Sequence, residues 1–148
     1  MKTVIQRVQH ASVVVDGQTI GAIQQGMLAF YGVEKNDTLD QLDYHVKKLL
    51  QLRIFEDDAG KMNRSVQEIG GGILLVSQFT LAGDCRKGNR PGFDNAKDPN
   101  TANDFYEQFL NRLKTEAPEN VRIQSGSFGA DMKITLLNDG PVTFILEN

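Results

Sequence analysis

Three short polar clusters hold the side chains that can do chemistry in this sequence. Ser77, Gln78 and Thr80 follow an apolar run, residues 73–76, and precede a glycine-containing loop. Hydroxyl and amide groups at a strand end are fixed by the strand and open toward a loop, which suits a functional site. They serve equally well to terminate the strand and satisfy its last backbone groups, and composition alone favours that second use. Asn138, Asp139, Gly140 and Pro141 form the second cluster. Proline removes a backbone donor and fixes φ, and a Gly-Pro bond is one of the few that can be cis; the four residues otherwise read as a turn between two strands. The third is Cys85 with Arg86, Lys87 and Arg90. Cys85 is a candidate thiolate nucleophile, but its base would have to be His10 or His45, and nothing in the sequence brings either near. The three cations suit an RNA phosphate or, more simply, a solvated loop. No Ser-His-Asp set can be assembled. Two histidines and one cysteine leave no zinc site, and no metal or cofactor is expected.

The elements that must position these groups are legible from pattern. Residues 4–15 are rich in β-branched side chains and end at Asp16-Gly17, a strong hairpin signal, so residues 18–24 pair back. Residues 26–33 are almost wholly apolar, as a buried strand requires. Thr38 and Gln41 have capping-box spacing, and Leu39, Leu42, Val46, Leu49 and Leu50 recur with helical period. Residues 57–60 are a turn, and Gly70-Gly71-Gly72 leads into a short buried strand that ends at the first polar cluster. Asp98-Pro99 opens a second helix, with proline in its first turn and Phe105, Phe109, Leu110 and Leu113 as its apolar face. Three strand-like runs follow: residues 121–125, 132–137 and 142–146, the last two joined by the turn at 138–141. Many strands and two main helices predict an α/β (α+β) chain, with sheets packed against helices in a single compact domain, residues 1–148.

Composition narrows the function classes. The chain has 148 residues, a net charge of −3 and a pI near 5.3. A general nucleic-acid coat is excluded, because phosphate binding needs concentrated positive charge; any RNA contact must be a local patch. A single cysteine forms no intrachain disulfide. No apolar run reaches the ~20 residues of a membrane span. The expectation is a cytoplasmic protein without a membrane partner.

Taken together, the segments resemble the D-aminoacyl-tRNA deacylase family, also called D-tyrosyl-tRNA deacylase, over essentially the whole chain. The resemblance lies in the start, residues 1–17, in Ser77-Gln78-Phe79-Thr80-Leu81, in Arg90-Pro91-Gly92-Phe93, and in Asn138-Asp139-Gly140-Pro141-Val142-Thr143. Both family signatures, SQ-x-T and N-x-G-P-x-T, are intact. The resemblance implies a layered β/β/α fold and a homodimer with active sites at the subunit interface. Ser77, Gln78, Phe79 and Thr80 would form one catalytic wall. Gly140-Pro141, cis in the family, would reach into the partner's site and select chirality. The implied reaction is hydrolysis of the ester joining a D-amino acid, or glycine mischarged on alanine tRNA, to the 3′ adenosine of tRNA, with rejection of L-aminoacyl substrates.

Without a base for a side-chain nucleophile, the working groups reduce to backbone amides, hydroxyls and the substrate itself. The amides of Phe79 and Thr80 are the oxyanion-hole candidates. Thr80 is either a nucleophile or a positioning group; the absence of a base favours positioning. The substrate's 2′-hydroxyl lies beside the ester and can orient or activate water. Phe128 and Met132 are candidates for the adenine pocket and Ala102 for the aminoacyl pocket, although core packing and helix propensity explain the three equally well. The alternative function is a non-catalytic module that binds or edits the tRNA end.

Overall fold

The computed structural model describes residues Met1–Asn148. The β-branched start forms β1 (Lys2–Val15), and Asp16 and Gly17, both at positive φ, turn the chain into β2 (Gln18–Ile23). The apolar run forms β3 (Gly26–Gly32), antiparallel to β1. A 3₁₀ turn and α1 (Leu42–Gln51) follow, then a small pair, β4 (Phe55–Glu56) and β5 (Met62–Arg64). The single-turn α2 (Val66–Ile69) leads into β6 (Gly72–Ser77), parallel to β3. The long α3 (Pro99–Glu116) precedes β7 (Arg122–Ser125), parallel to β6, and β8 (Lys133–Glu147) pairs antiparallel with β1 along most of its length.

Strand alternation sorts the core into two clusters. Met27, Ala29, Tyr31, Ile73 and Leu75 point to one face of the sheet and pack under the apolar stripes of α1 and α3. Leu28, Leu74 and Val76 point to the other and meet Val8, Ala11 and Val13 of β1, Ile23 of β2, and Ile134 and Leu136 of β8. The distal half of β1, with β2 and the start of β8, therefore forms a second β layer. This is the β/β/α layering implied by the resemblance, in one contiguous α+β unit.

Two expectations change, and one α-helix was not anticipated. Residues 138–141 do not turn between two strands that pair with each other. Both halves of β8 pair with β1: Val8 opposes Asn138 and Gln6 opposes Thr143, so four residues of β8 are extruded against Arg7 as a wide bulge. The spacing from Thr38 to Gln41 does cap a turn, with the Thr38 amide donating to Gln41 Oε1 at 2.8 Å, but the turn is 3₁₀ and α1 starts only at Leu42. The sequence reading also passed over α2, although Ser65 and Glu68 make a true capping box, the Ser65 amide donating to Glu68 Oε2 at 2.6 Å. No helix is long and apolar enough to cross a membrane.

Candidate active site

The parallel strands β3, β6 and β7 end on the same side of the sheet, where open sheets with parallel strands place their ligands. Pairing of β6 with β7 stops at Leu75 and Ser125, while β6 runs on to Ser77. Beyond that point the two chains part, and the gap between them is a cavity of about 670 Å³, within the usual range for a ligand site of ~300–1,000 Å³. Ser77, Gln78 and Phe79 line one side; Phe128 and Met132 line the other. Ala102, in the first turns of α3, borders it as well. Residues separated by more than fifty positions thus meet around one space, which packing or helix propensity taken singly does not explain.

The parting point is pinned by Tyr106 of α3. Its hydroxyl lies 2.9 Å from the Leu75 carbonyl and 3.2 Å from that of Gly126, and the Gly126 amide also donates to Leu75 O at 2.9 Å. Burial raises the Tyr106 pKa far above that of an ordinary phenol, so the hydroxyl remains a donor at any physiological pH. Its ring also lies 5.9 Å from that of Phe128, which it supports at the cavity wall. The sequence reading missed Tyr106. Its one signal was a polar tip beside the apolar face of α3.

The Ser77–Thr80 wall is set by backbone. The Gln78 amide donates to Tyr31 O at 2.7 Å, the last tie to β3, and a 3₁₀ turn, Phe79–Ala82, begins at once. Phe79 and Thr80 occupy its first positions, ahead of any carbonyl their amides could reach within the turn. Gln78 Nε2 donates to Thr80 Oγ1 at 2.6 Å, so the hydroxyl faces a donor and not a base. Thr80 itself is exposed and does not line the cavity.

The remaining candidates fall elsewhere. The Gly140-Pro141 bond is cis, and both residues are exposed on the β8 bulge; neither lines this chain's cavity. Beneath the bulge lies Arg7, 5% exposed in the middle of β1. Its Nε donates to Asp139 O at 3.1 Å and Nη1 to Ile54 O at 2.8 Å, and it pairs with the carboxylates of Asp139 and Glu56 at 3.4 and 3.6 Å. Gly140 has φ +130, a conformation that L side chains rarely adopt, and a Cβ there would also meet Val142 at 2.7 Å. Arg7 too was missed; its signal was a charge at an inward position of the β1 alternation, after Thr3 and Ile5.

The thiolate hypothesis loses its base. Cys85 is exposed, His10 is exposed on β1, and His45 is buried in α1, within hydrogen-bond distance of Thr3 Oγ1 (2.8 Å) and Asn148 Oδ1 (2.9 Å). Desolvation holds the His45 pKa below its usual value. Of the loop cations, Arg86 is committed to Asp84, whose carboxyl those hydrogen bonds hold well below the usual carboxylate range. Lys87 and Arg90 line a shallow polar depression with Asp84 and Asp94. No three His, Cys, Asp or Glu side chains come together as a metal site.

The family model described as D-Tyr-tRNA(Tyr) deacylase matches residues 4–147. A D-aminoacyl-tRNA deacylase from Saccharophagus degradans is 56% identical over 146 residues, covering 99% of each chain. One from Chloroherpeton thalassium is 53% identical over 148 residues, covering 100% of this chain and 96% of that one. Among solved structures, a c-Myc DNA unwinding element binding protein superposes with a TM-score of 0.91 at 45% identity, covering 100% and 99% of the two chains. A probable eukaryotic D-amino acid tRNA deacylase gives a TM-score of 0.82 at 18% identity, covering 98% and 97%, a likeness of fold.

Proposed function

The chain belongs to the D-Tyr-tRNA(Tyr) deacylase family, and from that premise we propose how its cavity hydrolyses the ester of D-aminoacyl-tRNA. The observation that carries the reading is the convergence of Ser77, Gln78, Phe79, Ala102, Phe128 and Met132 on one space. The terminal adenine lies against Phe128 and Met132, and the aminoacyl group lies toward Ala102 and the Ser77–Thr80 wall. The amides of Phe79 and Thr80 receive the oxyanion as the ester carbonyl becomes tetrahedral. Water is the nucleophile, oriented by the substrate's own 2′-hydroxyl. The alternative of a module that binds the tRNA end without hydrolysis has no such use for paired free amides. The working place of such an enzyme is the cytoplasm, where aminoacyl-tRNA is found.

The functional unit is a homodimer in which Gly140-Pro141 of each subunit enters the other's cavity. Its exclusion from the cavity of its own chain supports this. So does the edge strand that carries it: Leu137, Phe144 and Ile145 of β8 are exposed, apolar and near the bulge, an unprotected edge of the kind that pairs or is covered. Arg7 acts as a positioning residue, fixing the bulge from inside the subunit that presents it.

D-tyrosyl-tRNA should release free D-tyrosine, while L-tyrosyl-tRNA survives the same incubation. Because selection is made at Cα, glycyl-tRNA, with no side chain to reject, should be cleaved as well. Equal rates on matched D- and L-tyrosyl-tRNA would remove the chiral reading, and binding of the D substrate without release would favour the non-catalytic module.

Thr80→Ala separates positioning from nucleophilic catalysis by magnitude. Loss of one positioning hydrogen bond costs about 1–1.5 kcal/mol, up to roughly tenfold in rate. Removing a nucleophile costs on the order of 10⁶-fold in a serine hydrolase. The expected result is retention within about tenfold, read as the single-turnover rate on D-tyrosyl-tRNA; an abolished rate in a folded variant would make Thr80 the nucleophile.

A further inference from the structure

We propose that Phe79 and Phe93 form a stacking subsite for the base of the nucleotide preceding the terminal adenosine. This rests on the reading of the cavity as the seat of an aminoacylated RNA 3′ end. If adenosine and its amino acid occupy the cavity, the RNA strand must leave through its mouth, and the next base is unpaired. Both phenylalanines line that mouth, with ring centroids 5.1 Å apart and planes inclined by 58°. Phe79 is 59% exposed and Phe93 39%. A single exposed phenylalanine needs no explanation, but these two come from different segments and meet at the cavity rim.

The platform is built. Phe93 follows Gly92, which exchanges two backbone hydrogen bonds with Asp84, at 2.8 and 2.9 Å, and so closes the loop between them. The Phe93 ring lies against the backbone at Gly83: a Cβ there would come within 3.1 Å of the ring and 2.9 Å of Thr80 O. Only glycine lets the ring settle so low beside the 3₁₀ turn that carries Phe79.

Charge points to the same ligand. Residues 83–97 hold four cations, Arg86, Lys87, Arg90 and Lys97, and two acids, Asp84 and Asp94, a balance of +2 in a chain of net charge −3. Arg86 neutralises Asp84; Lys97 lines the cavity, its ammonium donating to Lys35 O at 3.0 Å, and Lys87 and Arg90 line a neighbouring depression with Asp84 and Asp94. An exposed aromatic face in a loop with a surplus of cations is the chemistry that holds single-stranded nucleic acid: the ring takes the base and cations along the strand's path take the phosphates. Because every base has a π-face, the subsite requires a base at this position without reading which one.

The test compares three D-tyrosyl esters: of adenosine, of the dinucleotide cytidylyl-adenosine, and of the same dinucleotide lacking the cytosine base. For the native protein, kcat/KM on the full dinucleotide should exceed that on adenosine by about 5- to 150-fold, the range expected for one stacked base. The base-less ester should fall well short of it. Phe93→Ala and Phe93→Leu should bring the dinucleotide-to-adenosine ratio toward one, and Phe93→Trp should preserve it, which a purely structural role would not predict. Equal rates on the dinucleotide and adenosine esters, a base-less ester as good as the full dinucleotide, or an unchanged ratio in Phe93→Ala would each overturn the subsite while leaving the deacylase reading intact. Hydrolysis of none of the three would overturn the deacylase reading and the subsite with it.

Discussion

A mixed dimer, with one subunit altered at Gly140 and Pro141 and the other in its Ser77–Thr80 wall, should keep about half the activity of the native dimer. The two sets of changes are chosen so that each silences its own homodimer. If Gly140-Pro141 works in the partner's cavity, one site of the mixed dimer receives an intact wall and an intact dipeptide, and the other receives neither. For two independent sites the equal-weight expectation is about one half. If the dipeptide serves its own chain, every site carries one damaged part and the mixed dimer is dead. The structure supports the first outcome: the dipeptide is exposed on an edge strand and lines no part of its own cavity. Chirality is then tested by backbone on a rigid bulge, held from beneath by the Arg7 hydrogen bond to Asp139 O. Backbone suits this task because steric exclusion needs a wall that does not move aside. A differently tagged pair, purified through both tags and assayed on D-tyrosyl-tRNA, gives the measurement; activity near zero would sink the trans arrangement.

A substrate ending in 2′-deoxyadenosine and charged at its 3′ position should react at least about 100-fold more slowly than the ribose substrate. The argument is one of elimination among the groups at the wall. His45 is engaged at both ring nitrogens, His10 is exposed on β1, and the Thr80 hydroxyl faces the Gln78 amide. Of the two carboxylates that line the cavity, Asp98 caps α3 by accepting from the Thr101 amide and Asp131 pairs with Lys133 at 2.8 Å, whereas the 2′-hydroxyl lies next to the ester by covalent structure. A positioned proton-transfer group contributes typically ~10²–10⁴-fold, and this sets the size of the expected loss. Because the missing hydroxyl can also weaken binding, the quantity to compare is the single-turnover rate at saturating enzyme. An undiminished rate would show that the substrate takes no part in its own hydrolysis and would send the search back to the protein for a base.

Much of the local structure was legible because it depends on near neighbours. Asp16-Gly17 is a hairpin turn since two consecutive residues must take positive φ, which this pair tolerates. Asp98 caps α3 through its own carboxylate, which accepts from the Thr101 amide at 3.0 Å. Leu42, Val46, Leu49 and Leu50 are buried because their spacing places them on one face of α1. The small β4–β5 pair escaped because strands of two and three residues carry no periodicity to detect.

The residues 138–141 mark the boundary between the two kinds of information. Their composition is that of a turn, and a local reading can give nothing else. Whether the flanking strands pair with each other or with a third is decided by a partner more than a hundred residues away: β1 takes both halves, Asn138 included, and leaves residues 139–142 extruded. The same holds for Arg7, whose charge is tolerated at 5% exposure only because Ile54 O, Asp139 and Glu56 converge on it. By itself, then, the sequence determined the longer elements and, through two short signatures, the family and its reaction, with the layered arrangement following from that resemblance. Tertiary structure alone decided that Ser77–Phe79, Ala102, Phe128 and Met132 share one cavity and that Gly140-Pro141 stands outside it. The reason is physical. Hydrogen-bonded turns and amphipathic faces are fixed by contacts a few residues apart, whereas a cavity exists only where β6 and β7 part company, at a point set by the Tyr106 hydroxyl reaching across from another element.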